Sequence, residues 1–214
     1  MTNTKRKAII FDLDNTIYSV SSIGEQLFNG LYSLIKADGR YKGDFDAVKE
    51  ALQKQPFHAV AKEYHFHPDL TEKAVGLLSD LSYDGKIEPF DDYSEYRLQK
   101  HNGLLKFLVT TGFSKLQWSK IKHMKLESDF DASFVVDPAL SDRTKKDVFA
   151  DIMEKYQLRP EEVLVIGDDV DSEIKAGREL GMDTLLYDHG GQKTAESEYG
   201  GNTITHYKQL EAFI

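Results

Sequence analysis

Five short apolar runs punctuate this chain, and each stops abruptly at a polar cluster: Ala8 to Phe11, Lys106 to Val109, Ser133 to Val136, Val163 to Ile166, and Thr184 to Tyr187. Continuous apolar runs of this length, bounded by polar residues and separated by helical patterns, read as strands buried on both faces of a parallel sheet. The spacing predicts helices between them over 114–124, 144–156 and 171–180. In the second, Val148, Phe149, Ile152, Met153 and Tyr156 recur at helical spacing and form one apolar face. Strand and helix in alternation predict a Rossmann-like, doubly wound α/β core.

One interval breaks the alternation. More than 80 residues separate the first two strands, and they show helical stripes instead: Ile23, Leu27, Leu31, Leu34 and Ile35, then Val48, Ala51 and Leu52, then Ala74, Leu77, Leu78 and Leu81. Gly39, Gly43, Pro56, Pro68 and Gly85 mark the turns. The expected organisation is a core of residues 1–16 and 90–214, with a small all-helical cap inserted as residues 17–89. Such an insertion hangs over the carboxyl ends of the strands, where open α/β sheets bind ligands.

Those strand ends carry the chemistry. Asp12-Leu13-Asp14-Asn15-Thr16 follows the first strand, with two carboxylates two residues apart on an extended segment. Their mutual repulsion calls for a hard cation such as Mg²⁺; a plain turn is the competing reading. Gly167-Asp168-Asp169, followed by Asp171 and Glu173, ends the fourth strand. Part of that acidic run also suits a helix N-terminus. Thr110-Thr111-Gly112 ends the second strand and offers a hydroxyl with backbone N–H groups to a phosphate. Arg143, Lys145 and Lys146 open the helix after the third strand, where cations oppose the helix dipole unless an anion is near or solvent screens them.

In this order and context the motifs closely resemble those of the haloacid dehalogenase superfamily of hydrolases. Asp12-Leu13-Asp14-Asn15-Thr16 resembles the first signature, Thr110 the second, and Gly167-Asp168 with Asp169 or Glu173 the fourth. The third signature departs from the common Lys-Pro form: Arg143 stands there, followed by Thr144, with Lys145 and Lys146 further on. Lys145 is the first choice for the active-site lysine, then Lys146, then Arg143. The resemblance implies that Asp12 attacks phosphorus and that Asp14 serves as acid and then base. It implies Mg²⁺ on Asp12, the Asp14 backbone carbonyl and Asp168, with Asp169 or Glu173 orienting bound water. Thr110, Thr111 and the lysine would bind the phosphoryl group, with Thr16 and Gly167 in support.

The expected activity is hydrolysis of a small phosphorylated metabolite, nucleotides and phosphoglycolate among the candidates. A phosphomutase, or a phospholigand-binding protein without catalysis, is the alternative. Asp14 argues against dehalogenation, because a halide leaves without a proton. Tyr18, Phe28, Tyr32, His58, Tyr64, His65 and Phe113 are candidates to select the substrate. His101, His123, His189 and His206 show no ligand spacing, and residues 190–201 read as a loop before a final short strand at Thr203-Ile204. A net charge of −9 disfavours a nucleic-acid partner. A polar start and the absence of cysteine suit the cytoplasm, and no apolar run reaches membrane-spanning length.

Overall fold

A computed structural model describes residues 6–97, 103–191 and 201–214. His101 and most of the loop at 190–201 lie outside them. Among the described residues, six parallel strands form one sheet in the order β3-β2-β1-β4-β5-β6: β1 Ala8–Phe11, β2 Leu105–Thr111, β3 Ala132–Val136, β4 Val163–Gly167, β5 Asp183–Tyr187 and β6 Asn202–Ile204. β1 is central, which is why its run is buried throughout. Its neighbours meet it in register, Phe11 opposite both Leu108 and Ile166. Asp12 therefore leaves the sheet level with the ends of β2 and β4, and its N–H donates to the Ile166 carbonyl at 3.0 Å.

Among the described residues the long interval holds five helices, α1 Ser21–Asp38, α2 Phe45–Lys54, α3 Phe57–Glu63, α4 Pro68–Asp80 and α5 Asp91–Arg97. Ile23, Leu27, Leu31 and Ile35 turn inward from α1, as do Val48, Ala51 and Leu52 from α2 and Ala74 and Leu78 from α4. Pro68 opens α4, because a proline at the first helical position lacks only an N–H that would go unpaired there. α3, and α5 at Asp91–Arg97, are short helices that periodicity did not reveal. The apolar side chains of this bundle run without a break into one face of the sheet, through Phe11, Leu13, Ile17 and Leu108.

The opposite face packs against α7, Lys145–Tyr156, through Val148, Phe149 and Ile152. Thr144 caps α7 in a reciprocal pair with Asp147. α6, Ser114–His123, follows β2 as expected. The single helix expected over 171–180 is divided: an irregular turn, Val170–Ile174, breaks at Ser172 (φ −105°, ψ −107°) before α8, Lys175–Glu179. Asp169 caps that turn by accepting from the Asp171 N–H. No helix among the described residues is long and apolar enough to cross a membrane.

Candidate active site

The tips of β1, β2 and β4 and the first turn of α7 meet at one edge of the sheet. Asp12 is buried there, with each carboxylate oxygen engaged: Oδ1 accepts from Lys145 Nζ at 2.6 Å and Oδ2 from the Thr16 hydroxyl at 3.1 Å. Lys145 is itself buried and bonds Glu173 Oε2 at 2.7 Å. Oxygens of Asp12, Asp168 and Glu173 lie within 4.8 Å of one another. One ammonium thus stands between two buried carboxylates while a third converges on them. Burial pushes the Asp12 carboxyl up to about 8, against the pull of Lys145, and Glu173 and Asp168 add to the rise.

Gly167 makes this approach possible. A Cβ on it would lie 2.0 Å from Glu173 Oε1, so the residue has to be glycine for Glu173 to fold back over the end of β4. The same Oε1 accepts from the Asp169 N–H at 2.9 Å.

Of the three cations considered, only Lys145 reaches this edge. Lys146 points away and pairs with Glu179 at 2.8 Å, half exposed. Arg143 pairs with Asp151 on the surface. Successive residues at a helix start point about 100° apart, so Lys145 and Lys146 cannot share one site.

Asp14 turns the other way, toward α6. Lys120 Nζ lies 2.9 Å from its Oδ1 and 3.1 Å from its Oδ2, the Tyr18 hydroxyl donates to Oδ1 at 2.5 Å, and Gln117 Nε2 donates to Oδ2 at 2.9 Å. Burial alone would raise the Asp14 carboxyl, but Lys120 and the two hydrogen bonds outweigh it and hold the group below its ordinary range. Sequence reasoning missed Lys120 and Gln117. Their signal was present: they stand at i, i+3 on the helix that opens after Thr110-Thr111-Gly112, beside the apolar Leu116 and Ile121.

Thr110 is buried at the end of β2 and its hydroxyl accepts from Gln117 Nε2 at 2.6 Å, while the Thr111 carbonyl takes the same amide at 3.3 Å. A cavity of about 140 Å³ opens over these groups. Its floor holds Asp12, Asp14, Thr110, Gln117, Lys120, Lys145, Asp168, Asp169 and Glu173; its roof mixes apolar Phe28, Leu31, Leu52, Phe57 and Leu78 with polar Gln53, Lys54 and Gln55 from the helical bundle, and adds Phe113 from the core. His58 also lines it, at 6.2 Å from the Phe113 ring. The other substrate-selecting candidates do not line the cavity. Tyr18 acts on Asp14 from behind, Tyr32 accepts from Gln53 at 3.1 Å, Tyr64 packs beside Gly43, and the exposed His65 bonds the Glu63 carbonyl. His189 stacks on Phe90 at 3.9 Å and His206 caps a short helical turn, both away from the site.

A parallel α/β sheet with carboxylates, a hydroxyl and a buried lysine gathered at the carboxyl ends of its strands defines a hydrolytic enzyme. The family model for haloacid dehalogenase-like hydrolases matches residues 9–187. The chain belongs to that family. It is 25% identical to the glyceraldehyde 3-phosphate phosphatase of Pyrococcus furiosus, over 95% of this chain and 91% of that one. It is 26% identical to the glyceraldehyde 3-phosphate phosphatase of Methanocaldococcus jannaschii, over 95% of each. A haloacid dehalogenase-like hydrolase from Streptococcus pneumoniae shares the fold with a TM-score of 0.75 at 22% identity, over 98% of this chain and 99% of that one.

Proposed function

We propose that the protein is a Mg²⁺-dependent phosphomonoester hydrolase that works through an aspartyl-phosphate on Asp12. The observation that carries this reading is the Asp12–Lys145–Glu173 arrangement at the floor of the cavity, with Thr110 beside it. Thr16 and Lys145 each take one oxygen of Asp12 and hold the carboxylate in a single orientation. Phosphoryl transfer asks for such positioning and for charge stabilisation. Lys145 also supplies positive charge for the phosphoryl oxygens, and the Thr110 hydroxyl, accepting from Gln117, has its own proton to donate to them. Asp14, which Lys120 holds ionised in the free protein, would take up a proton as the anionic ester approaches and raises its carboxyl, give that proton to the leaving oxygen, and then take one from the water that hydrolyses the aspartyl-phosphate.

The acidic oxygens that converge at this edge suit Mg²⁺, a hard cation that prefers oxygen ligands. The upward push on the Asp12 carboxyl, from burial and from the neighbouring Glu173 and Asp168, fits the same assignment, since a cation there would favour the ionised acids. Asp12, Asp168 and the Asp14 backbone carbonyl would hold the ion, with Glu173 or Asp169 on its bound water. When bound, it supplies the charge that keeps Asp12 ionised and shields the phosphate from repulsion.

Residues 17–89 act as the cap over a core of 1–16 and 90–214, since α1, α2, α3 and α4 all contribute to the cavity roof. The small volume favours a small ester, and the mixed roof offers both apolar and polar contacts to its leaving group. Relatives named glyceraldehyde 3-phosphate phosphatase make triose phosphates the first substrates to try, and a cytoplasmic enzyme would meet them.

The test is phosphate release from a panel that includes glyceraldehyde 3-phosphate, 3-phosphoglycerate, a nucleoside monophosphate and an aryl phosphate. Each is run with Mg²⁺, with chelator and with Asp12→Asn. Mg²⁺-dependent release that the substitution abolishes supports the reading. No release from any ester, or release that survives Asp12→Asn, refutes it.

A further inference from the structure

We infer that Lys120, with Gln117 one turn before it, is a positioning residue for Asp14; the inference rests on the phosphatase reading above. Lys120 is 3% exposed, a depth at which lysine is rarely found unless paired. Its ammonium spans both oxygens of Asp14, at 2.9 and 3.1 Å. Tyr18 approaches Oδ1 and Gln117 approaches Oδ2, so three donors on two elements remove the carboxylate's freedom to rotate. Asp14 keeps 27% of its side chain exposed, and it faces the cavity. The group is therefore clamped on both oxygens while part of it stays open to the cavity.

Gln117 extends the clamp. Its amide carries two hydrogens, and the two nearest acceptors are Thr110 Oγ1 at 2.6 Å and Asp14 Oδ2 at 2.9 Å. A donor on Thr110 Oγ1 turns that hydroxyl's own proton away from α6, toward the phosphoryl site. One turn of α6 thereby sets the direction of two groups that act on different parts of the ester. Lys120 touches Asp14 and governs the leaving-group side; Gln117 governs both sides. Both also line the cavity, but their hydrogen bonds go to Asp14, Thr110 and the Thr111 carbonyl.

This division predicts a signature that loss of packing would not give. An alkyl phosphate needs a proton on its leaving oxygen, whereas p-nitrophenolate leaves well without one. The quantity to compare is kcat/KM, which covers the steps up to departure of the leaving group. Misplacing a catalytic group by about 1 Å costs on the order of 100-fold, so Lys120→Met should lower kcat/KM for an alkyl phosphomonoester by about that factor. For p-nitrophenyl phosphate the fall should be less than about fivefold, because proton transfer to the leaving group contributes little there. Lys120→Arg, which keeps charge and donors, should recover most of the alkyl activity, and Gln117→Leu should lower both esters together. Circular dichroism and thermal melting accompany each variant, and Lys120→Gln replaces Lys120→Met if the latter does not fold. Equal losses on the two esters, no loss on either, or no recovery with arginine would overturn the inference. If the unaltered protein hydrolyses neither ester, the phosphatase reading itself fails, and this inference with it.

Discussion

Replacing Gly167 by alanine should act almost wholly through Glu173. The added Cβ would sit 2.0 Å from Oε1, 2.3 Å from Cγ and 2.4 Å from Cδ of that side chain. Cγ has to retreat by about 1 Å to reach ordinary contact at 3.4 Å. That movement breaks the 2.7 Å bond to Lys145 and the 2.9 Å bond from the Asp169 N–H. A hydrogen bond to a charged group is worth about 1.5–3 kcal/mol and the strain of overpacking about 1–3 kcal/mol, so a loss of about 3 kcal/mol is expected. The assay is a double-mutant cycle in urea with Gly167→Ala, Glu173→Ala and the pair. Glu173→Ala should cost a similar amount alone, and the pair little more than either single change, because without the Glu173 side chain the methyl loses its three closest clashes. The coupling should therefore approach about 3 kcal/mol, well beyond the few tenths seen for independent sites. Additive costs, or a Gly167→Ala protein within about 0.5 kcal/mol of the parent, would show that Glu173 does not fold back against Gly167.

Lys145 and its neighbour should behave in opposite ways. Lys145→Met leaves Asp12 and Glu173 buried against each other, so denaturant melts should show a loss of about 3–5 kcal/mol and phosphate release should vanish. Lys146→Ala removes a solvent-facing pair and should change stability by less than about 1 kcal/mol, with activity intact. Mg²⁺ at 100 times its dissociation constant should stabilise the protein by about 2.7 kcal/mol in the same melts; chelator, or Asp168→Asn, should remove the gain. Away from the site, Tyr187→Phe deletes a hydroxyl that donates to the buried Asp92 at 2.9–3.0 Å. It should cost about 1.5–3 kcal/mol, measured by urea unfolding, without altering phosphate release.

Apolar run length and period determined a great deal from the sequence alone. The five apolar runs all appear as strands and the expected final short strand appears as β6; β1 and β4, central in a parallel sheet, are buried on both faces and so read as unbroken runs. The Asp12, Thr110 and Asp168 clusters were legible because each directly follows such a run, and the end of a strand is where an α/β sheet presents side chains to a ligand. Short pieces were not legible. α3 and α5 have seven residues each, too few to show a helical period, and the kink at Ser172 carries no sequence signal that periodicity detects.

Tertiary structure alone decided which charges meet. Lys145 and Lys146 are chemically identical neighbours, yet only the rotation of α7 against the sheet sends one to Asp12 and the other to Glu179. Lys120 lies 106 positions from Asp14, and no local pattern links them. They meet because β1 and β2 pair in register and α6 folds back across the end of β2. Local periodicity reports which face of an element is buried. Which charged group stands opposite another depends on how distant elements dock, and that follows only from the packed whole.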